Sequence, residues 1–276
     1  MLKDILVNLT VGVEQDVAAE YAISLARSFE AHLVGVAFVQ ESMVPGATFS
    51  SVAMEIVRAY RAECKEAALV ASSRFDEMTR RAGVLSASHV ETTLLPQVPL
   101  TFAKLARRFD ISVIAQSEPE NPPNRDVMIE AALFDSGRPL LAVPYIQQSG
   151  FTTERALVCW DGSRNAARAI GDALPILRRM HSVEVVVVTG ERGKTGEIPG
   201  ADMAHHLARH GLNVKVREIM AIDDDVASTI LSHVADTGAG FIVMGGYGHS
   251  RLRELVLGGA TRGILASMTV PTLLSH

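Results

Sequence analysis

The chain is written twice. Arg155-Ala156-Leu157-Val158-Cys159-Trp160 echoes Asp4-Ile5-Leu6-Val7-Asn8-Leu9, and Thr269-Val270-Pro271-Thr272-Leu273 echoes Gly137-Arg138-Pro139-Leu140-Leu141. Between these markers, short β-branched runs alternate with helical patterns in the same order in both halves, which is the signature of parallel βαβ units. A self-similarity of this length means two copies of one domain, not one large doubly wound sheet. The expected fold is α/β with two tandem domains, each a five-stranded parallel sheet with four helices.

In the first half the strands are expected at Ile5–Leu9, His32–Val39, Ser88–Leu95, Ile111–Ala115 and Pro139–Val143. Helices are expected at Asp16–Phe29, Ser51–Ala82 (after the loop Pro45–Ser50), Leu100–Phe109 and Val127–Phe134. Ala18, Ala22, Leu25 and Phe29 recur at helical spacing and mark a core-facing stripe. In the second half the strands are Arg155–Trp160, Glu184–Val188, Asn213–Glu218, Gly240–Met244 and Pro271–Leu274. A helix from Ser163 turns Ala166, Ala167, Ile170, Ala173, Leu174 and Leu177 inward, and Pro175 should bend or end it. Further helices follow at Ala201–His210, Val226–Ala235 and Leu252–Ala266; the second of these opens beside Asp223, Asp224 and Asp225, acids suited to a helix N-terminus. The polar stretch Gln147-Gln148-Ser149-Gly150 separates a domain of residues 1–147 from one of 151–276.

Composition removes several function classes. The net charge is -5 with 21% charged residues. No basic stripe is available to follow a phosphate backbone, so no nucleic-acid partner is expected. Cys64 and Cys159 are the only cysteines, too few for a disulfide framework or a four-cysteine zinc site. Met1–Leu9 is a short apolar run followed by Glu14, Gln15 and Asp16, without a signal-peptide layout. No apolar stretch approaches the ~20 residues of a membrane span. A soluble, cytoplasmic protein with no membrane partner is the expectation.

The chemistry concentrates after the fourth strand of the second half. There the chain reads Met244-Gly245-Gly246-Tyr247-Gly248 and continues to Leu257-Gly258-Gly259-Ala260-Thr261, a spacing of glycine, two residues, glycine, nine residues, glycine. Glycines let a backbone approach phosphates closely. Their amides, close to a helix N-terminus, make an anion nest. The segment also leaves the carboxyl end of a parallel strand, where open α/β sheets bind ligands.

With the strand ending Trp160-Asp161-Gly162-Ser163 and the Val270-Pro271 strand, this segment resembles the universal stress protein family in its tandem form. The resemblance implies Rossmann-like domains of the adenine nucleotide alpha hydrolase type, an ATP ligand, alone or with Mg2+, and a role in stress response through conformation or partner contact. It puts Asp161 at the nucleoside end and Val188 on the adenine. Gly245 and Gly248 fall near the ribose and α-phosphate, with Met244 beside them among the nucleotide-binding residues, and Gly258, Gly259, Ala260 and Thr261 hold the outer phosphates. The family has Ser or Thr where Gly259 stands. One hydroxyl contact is therefore missing, and AMP or ADP can compete. The family's fifth strands pair across a two-fold axis, which implies an internal pseudo-dimer of the halves and allows a homodimer of chains.

The first half keeps the scaffold pattern but not the motif. Thr10 stands at the acid's place, Ala115 and Glu118 replace the first two glycines, and Asp126 falls near the third. Glu118, Glu120 and Asp126 would repel a triphosphate. One ATP per chain is expected, held by the second half.

Other patterns read more simply. Gly193-Lys194-Thr195 lacks the upstream glycine of a P-loop, since Val188 stands there. His206 and His210, four apart on a helix, lack the glutamate of a zinc-protease signature and suit a solvated face. Arg251, Arg253 and Arg262 flank the glycine segment as phosphate contacts or as surface charge. Cys159 reads as a small buried hydrophobe. No nucleophile is paired with a base, so no catalytic residue and no resident metal are assigned. Two alternatives stay open: an interaction scaffold with a vestigial pocket, and an adenylating or pyrophosphatase-type enzyme of related fold, whose Ser-Gly-Gly-x-Asp-Ser and His-x-Gly-His elements are not found here.

Overall fold

The computed structural model describes residues 1–41, 51–117, 127–189, 200–221, 223, 225–247 and 259–276. The chain divides into two compact units, one spanning Leu2–Arg138 and the other taking in Pro139–His276.

The first unit holds strands β1 (Asp4–Asn8), β2 (His32–Glu41), β3 (Ser86–Leu94) and β4 (Ile111–Ala115) in the order β3-β2-β1-β4, all parallel. Ile5, Leu6 and Val7 of β1 and Ile111 and Val113 of β4 are essentially inaccessible. Consecutive apolar residues buried on both faces are what a parallel strand between helical layers requires. The helices are α1 (Val17–Phe29), α2 (Ser51–Ala82), α3 (Val98–Ala106) and α4 (Val127–Asp135). The Ala18, Ala22, Leu25 and Phe29 stripe of α1 is buried as its spacing predicts. Asp16 caps that helix by accepting the Ala19 amide, and Glu30 ends it in the left-handed region at φ 50. α3 starts earlier than its apolar pattern suggests, at Val98, because Pro99 suits a first helical turn.

The second unit holds β5 (Leu140–Val143), β6 (Arg155–Cys159), β7 (Ser182–Thr189), β8 (Val214–Met220), β9 (Phe241–Gly245) and β10 (Thr272–Ser275) in the order β5-β10-β9-β6-β7-β8. Its pairs are parallel except for β10 with β5, which run antiparallel with Leu273 opposite Leu141. That pairing draws β5 into the second unit, so the units divide at Arg138–Pro139, ahead of the polar linker read at residue 147. The helices are α5 (Arg164–Leu177), α6 (Ala201–Arg209), α7 (Val226–Thr237) and α8 (Ala260–Ser267). Ser163 caps α5 through the Ala166 amide, and Pro175 lies inside it, two residues before its end at Leu177. Asp225 caps α7 by accepting the Ser228 amide and hydroxyl, which hold its carboxyl below the usual range. Of the helix expected over 252–266, α8 covers the last part; residues 252–258 lie outside the described residues. No helix among the described residues is long and apolar enough to cross a membrane.

Candidate functional site

A cleft of about 280 Å³ opens where β6, β7 and β9 reach their carboxyl ends. One side is apolar: Val186 and Val188 from β7, Val226 and Ile230 from α7, and Met244 from β9. The end of β6 contributes Cys159, Trp160 and Asp161, and α5 contributes Ala166. Gly245 lines it where β9 ends, and Gly259, Ala260 and Thr261 line it at the N-terminus of α8. The first amides of a helix have no intrahelical partner, so this last part of the wall is a natural anion contact. Apolar surface in the same cleft as helix-start amides fits a ligand with a flat apolar body and an anionic tail.

The cleft gathers Asp161, Val188, Met244, Gly245, Gly259, Ala260 and Thr261, seven of the nine residues that the sequence assigns to the ligand. Gly248 and Gly258 lie outside the described residues, as do Arg251, Arg253 and the Gly193-Lys194-Thr195 stretch. Asp161 is exposed, and its Oδ1 accepts the Ser163 amide at 2.9 Å, closing a tight turn. Thr261 is 97% buried in effect, with 3% of its surface exposed, and its Oγ1 accepts the Tyr247 amide at 3.0 Å. Its oxygen therefore ties the glycine segment to α8.

Gly245 has a structural reason to be glycine. A Cβ there would lie 2.5 Å from the Ala166 amide nitrogen and 2.7 Å from the Asn165 carbonyl carbon. The first turn of α5 thus packs against the bare backbone at the end of β9. A second close approach shapes the opposite wall: a Cβ on Gly263 of α8 would lie 2.5 Å from the Ala227 Cβ of α7. Both contacts bring cleft-lining helices nearer than any side chain would allow.

Cys159 borders the cleft, yet burial, and secondly the neighbouring Asp161 charge, push its thiol up to about 12. It is no nucleophile near neutral pH. Sequence reasoning missed Val226 and Ile230, which it placed only within a helix, and Asn165, which it did not single out. Spacing within one segment carries no sign of which distant helix will roof a strand end.

Residues 152–276 match the Universal stress protein family. This half of the chain belongs to that family. A universal stress protein from Archaeoglobus fulgidus DSM 4304 has the same fold over 99% of this chain and 95% of its own, with a TM-score of 0.69 and 15% identity. A functionally unknown protein from Pseudomonas aeruginosa PAO1 aligns over 99% of this chain and 92% of its own, with a TM-score of 0.61 and 16% identity. At such identities the likeness is one of fold, and it spans both halves of the chain. No curated protein sequence matches the chain.

The corresponding strand end of the first unit is arranged differently. At the place of Asp161, Thr10 follows β1, and its amide donates to the Asp16 carboxylate at 2.7 Å. Asp16 is buried, with 3% of its surface exposed, and also accepts the Ala19 amide at 3.1 Å. Arg74 from α2 donates to the Val13 and Glu14 carbonyls and pins the same turn. The acid near this strand end is thus spent on the protein's own backbone. Ala115 closes β4 where Gly245 closes β9, while Glu118 and Asp126 lie outside the described residues.

Elsewhere, His206 and His210 stack edge to face at 4.8 Å between ring centroids, and Arg178 reaches His210 Nδ1 at 3.1 Å. Among the described residues no group of three or more His, Cys, Asp or Glu side chains is arranged to hold a metal ion.

Proposed function

We propose that the second unit is an adenine-nucleotide-binding domain with ATP as its ligand, and that the chain acts in stress response through nucleotide-dependent conformation or partner contact. The observation that carries this is the cleft itself. It brings the Val186, Val188 and Met244 surface, suited to a purine, into one cleft with the amide-bearing start of α8, suited to phosphate, and Asp161 is the proposed partner of ribose hydroxyls. AMP and ADP are the expected competitors, because Gly259 offers an amide but no hydroxyl. Mg2+ would enter with the nucleotide's phosphates, Asp161 being the one carboxylate among the described lining residues.

Binding without catalysis is part of the proposal. The described lining residues pair no nucleophile with a general base, and the Cys159 thiol is held in its protonated form. The closed turn at Thr10 and Asp16 supports a single site per chain. The antiparallel β5–β10 pair supports the expectation that one chain supplies both fifth strands. A homodimer of chains is the further assembly proposed, and sedimentation over a wide concentration range tests it.

Calorimetric titration of ligand-free protein with ATP is the deciding experiment. A stoichiometry near one, weakened by Asp161→Ala and unchanged by Thr10→Ala, supports the reading. Two equivalent sites, or no binding of any adenine nucleotide, overturns it, the latter leaving an interaction scaffold.

A further inference from the structure

We propose that Asn165 is a positioning residue for the Gly246–Tyr247 dipeptide and, through the Tyr247 contact with Thr261, for the start of α8, where the ligand's phosphates would be received. The proposal rests on the nucleotide reading given above and adds a residue that the motif does not contain.

Asn165 is the second residue of α5, and 4% of its surface is exposed. Asparagine is a mediocre helix former, because its amide competes for backbone partners. Here that amide leaves its helix altogether. Its Nδ2 donates to the Gly246 carbonyl at 2.7 Å and lies 3.5 Å from the Tyr247 carbonyl. It also meets His276 Nδ1 at 3.0 Å, and that nitrogen lies 3.1 Å from the Gly246 carbonyl. All three neighbours can accept a hydrogen bond, so the NH2 end of the side chain belongs on this side.

The same two residues are held from every other direction. The Gly246 amide donates to the Ser275 carbonyl of β10 at 2.8 Å, and the Tyr247 amide donates to Thr261 Oγ1 of α8 at 3.0 Å. Tyr247 is 6% exposed and sits in the left-handed region at φ 50. A bulky residue stays there only where its surroundings dictate it. Three elements thus fix the dipeptide immediately before Gly248: α5 through Asn165, β10 through Ser275, and α8 through Thr261. Of these three anchors, Asn165 is the one that reaches both carbonyls with a side-chain donor. Both amides are spent on these contacts, so what the dipeptide positions is the start of α8: the Tyr247 amide holds Thr261 Oγ1, beside the Gly259 and Ala260 backbone that would meet the phosphates.

The consequence is a selectivity of effect. Losing Asn165 should disturb the phosphate end of the cleft and spare the purine side made by β7 and α7. Calorimetric titrations of Asn165→Ala and Asn165→Asp with adenosine and with ATP test this. For Asn165→Ala, ATP affinity should fall about tenfold, equivalent to about 1.4 kcal/mol, while adenosine affinity stays within about threefold of the parent chain. Asn165→Asp has the same shape but presents a carboxylate to two carbonyls. It should match the alanine variant near pH 8 and recover ATP affinity toward pH 5, as the carboxyl takes up a proton and becomes a donor. Parallel titrations of the parent chain subtract the responses of His276 and of Asp172, which faces Ser275 and Arg168. Equal losses for both ligands would reduce Asn165 to a general packing role, and unchanged ATP affinity would remove it from the site. Failure of the parent chain to bind either ligand would sink the nucleotide reading. In that case amide exchange at Gly246 and Tyr247 of ligand-free Asn165→Ala decides the positioning claim: faster exchange upholds it, and parental protection overturns it.

Discussion

The missing side chain of Gly245 is filled by the first turn of a helix: the Ala166 amide nitrogen would stand 2.5 Å from its Cβ. Both sit in the cleft wall, yet the contact is protein against protein. Gly245→Ala should therefore cost stability even without ligand, about 1–3 kcal/mol as for other overpacked sites. Thermal unfolding of the ligand-free protein measures it. A glycine needed only for close approach of phosphate would leave the melting temperature unchanged and affect binding alone.

The α7–α8 contact allows a reciprocal test. Gly263→Ala meets the Ala227 Cβ at 2.5 Å, so it should destabilise by a similar ~1–3 kcal/mol and widen the cleft. Removing the opposing methyl with Ala227→Gly should restore the helix spacing, although the second glycine itself costs roughly 0.5–1 kcal/mol in a helix. A double-mutant cycle on urea midpoints should show a coupling of 0.5 kcal/mol or more, on the order seen for touching residues. Simple additivity would mean that the helices do not meet there.

Asp16 in the first unit gives a pH-dependent prediction. Burial raises its carboxyl above the ordinary 3.8 and outweighs the hydrogen bonds from the Thr10 and Ala19 amides. The folded state then binds more protons than the unfolded state in the window above 3.8, so this group's contribution is largest at acid pH and is lost as pH rises through its folded value. Asp16→Asn offers one carbonyl oxygen where two amides need acceptors, a loss of roughly 1–3 kcal/mol. The stability gap between parent and variant, read from chemical unfolding at several pH values, should narrow as pH rises above 3.8. A gap that widens would reverse the sign argued here.

Thiol labelling separates the two cysteines. With its thiol pushed up to about 12, Cys159 is thiolate in only about one molecule in ten thousand at pH 8. One thiol per native chain should react readily with a disulfide reagent, Cys64 on α2, and the second only on unfolding. Rapid labelling of Cys159 in the native protein would mean that its surroundings are wetter than the structure has them.

Much of this architecture was readable because hydrophobic period and strand order are local signals. The runs around Ile5 and Ala156, the buried stripe of α1, and the Pro-led fifth strands all fall where their patterns put them. β5 is the instructive exception. Its sequence sits with the first half, while its hydrogen bonds to β10 place it in the second unit; that fifth strands pair is implied by the family resemblance, not by the strand's own residues. The site divides the same way. Met244, Gly245 and the Gly259-Ala260-Thr261 run share one segment with a recognisable spacing, and they do meet in the cleft. Val226 and Ile230 come from a helix whose apolar face looks like any other, and Asn165 acts across 81 residues of sequence on the Gly246 carbonyl. Gly245 was found through its type, while the helix contact behind that type exists only in three dimensions.

The antiparallel pair in which Leu141 stands opposite Leu273 has both of its strands on one polypeptide. Forming it is a unimolecular event, so its population does not follow mass action between molecules. Dilution to the nanomolar range, where a strand pair between separate chains would dissociate, leaves it closed. The edge of β10 is thereby permanently occupied, and a second chain seeking partners must find a different surface.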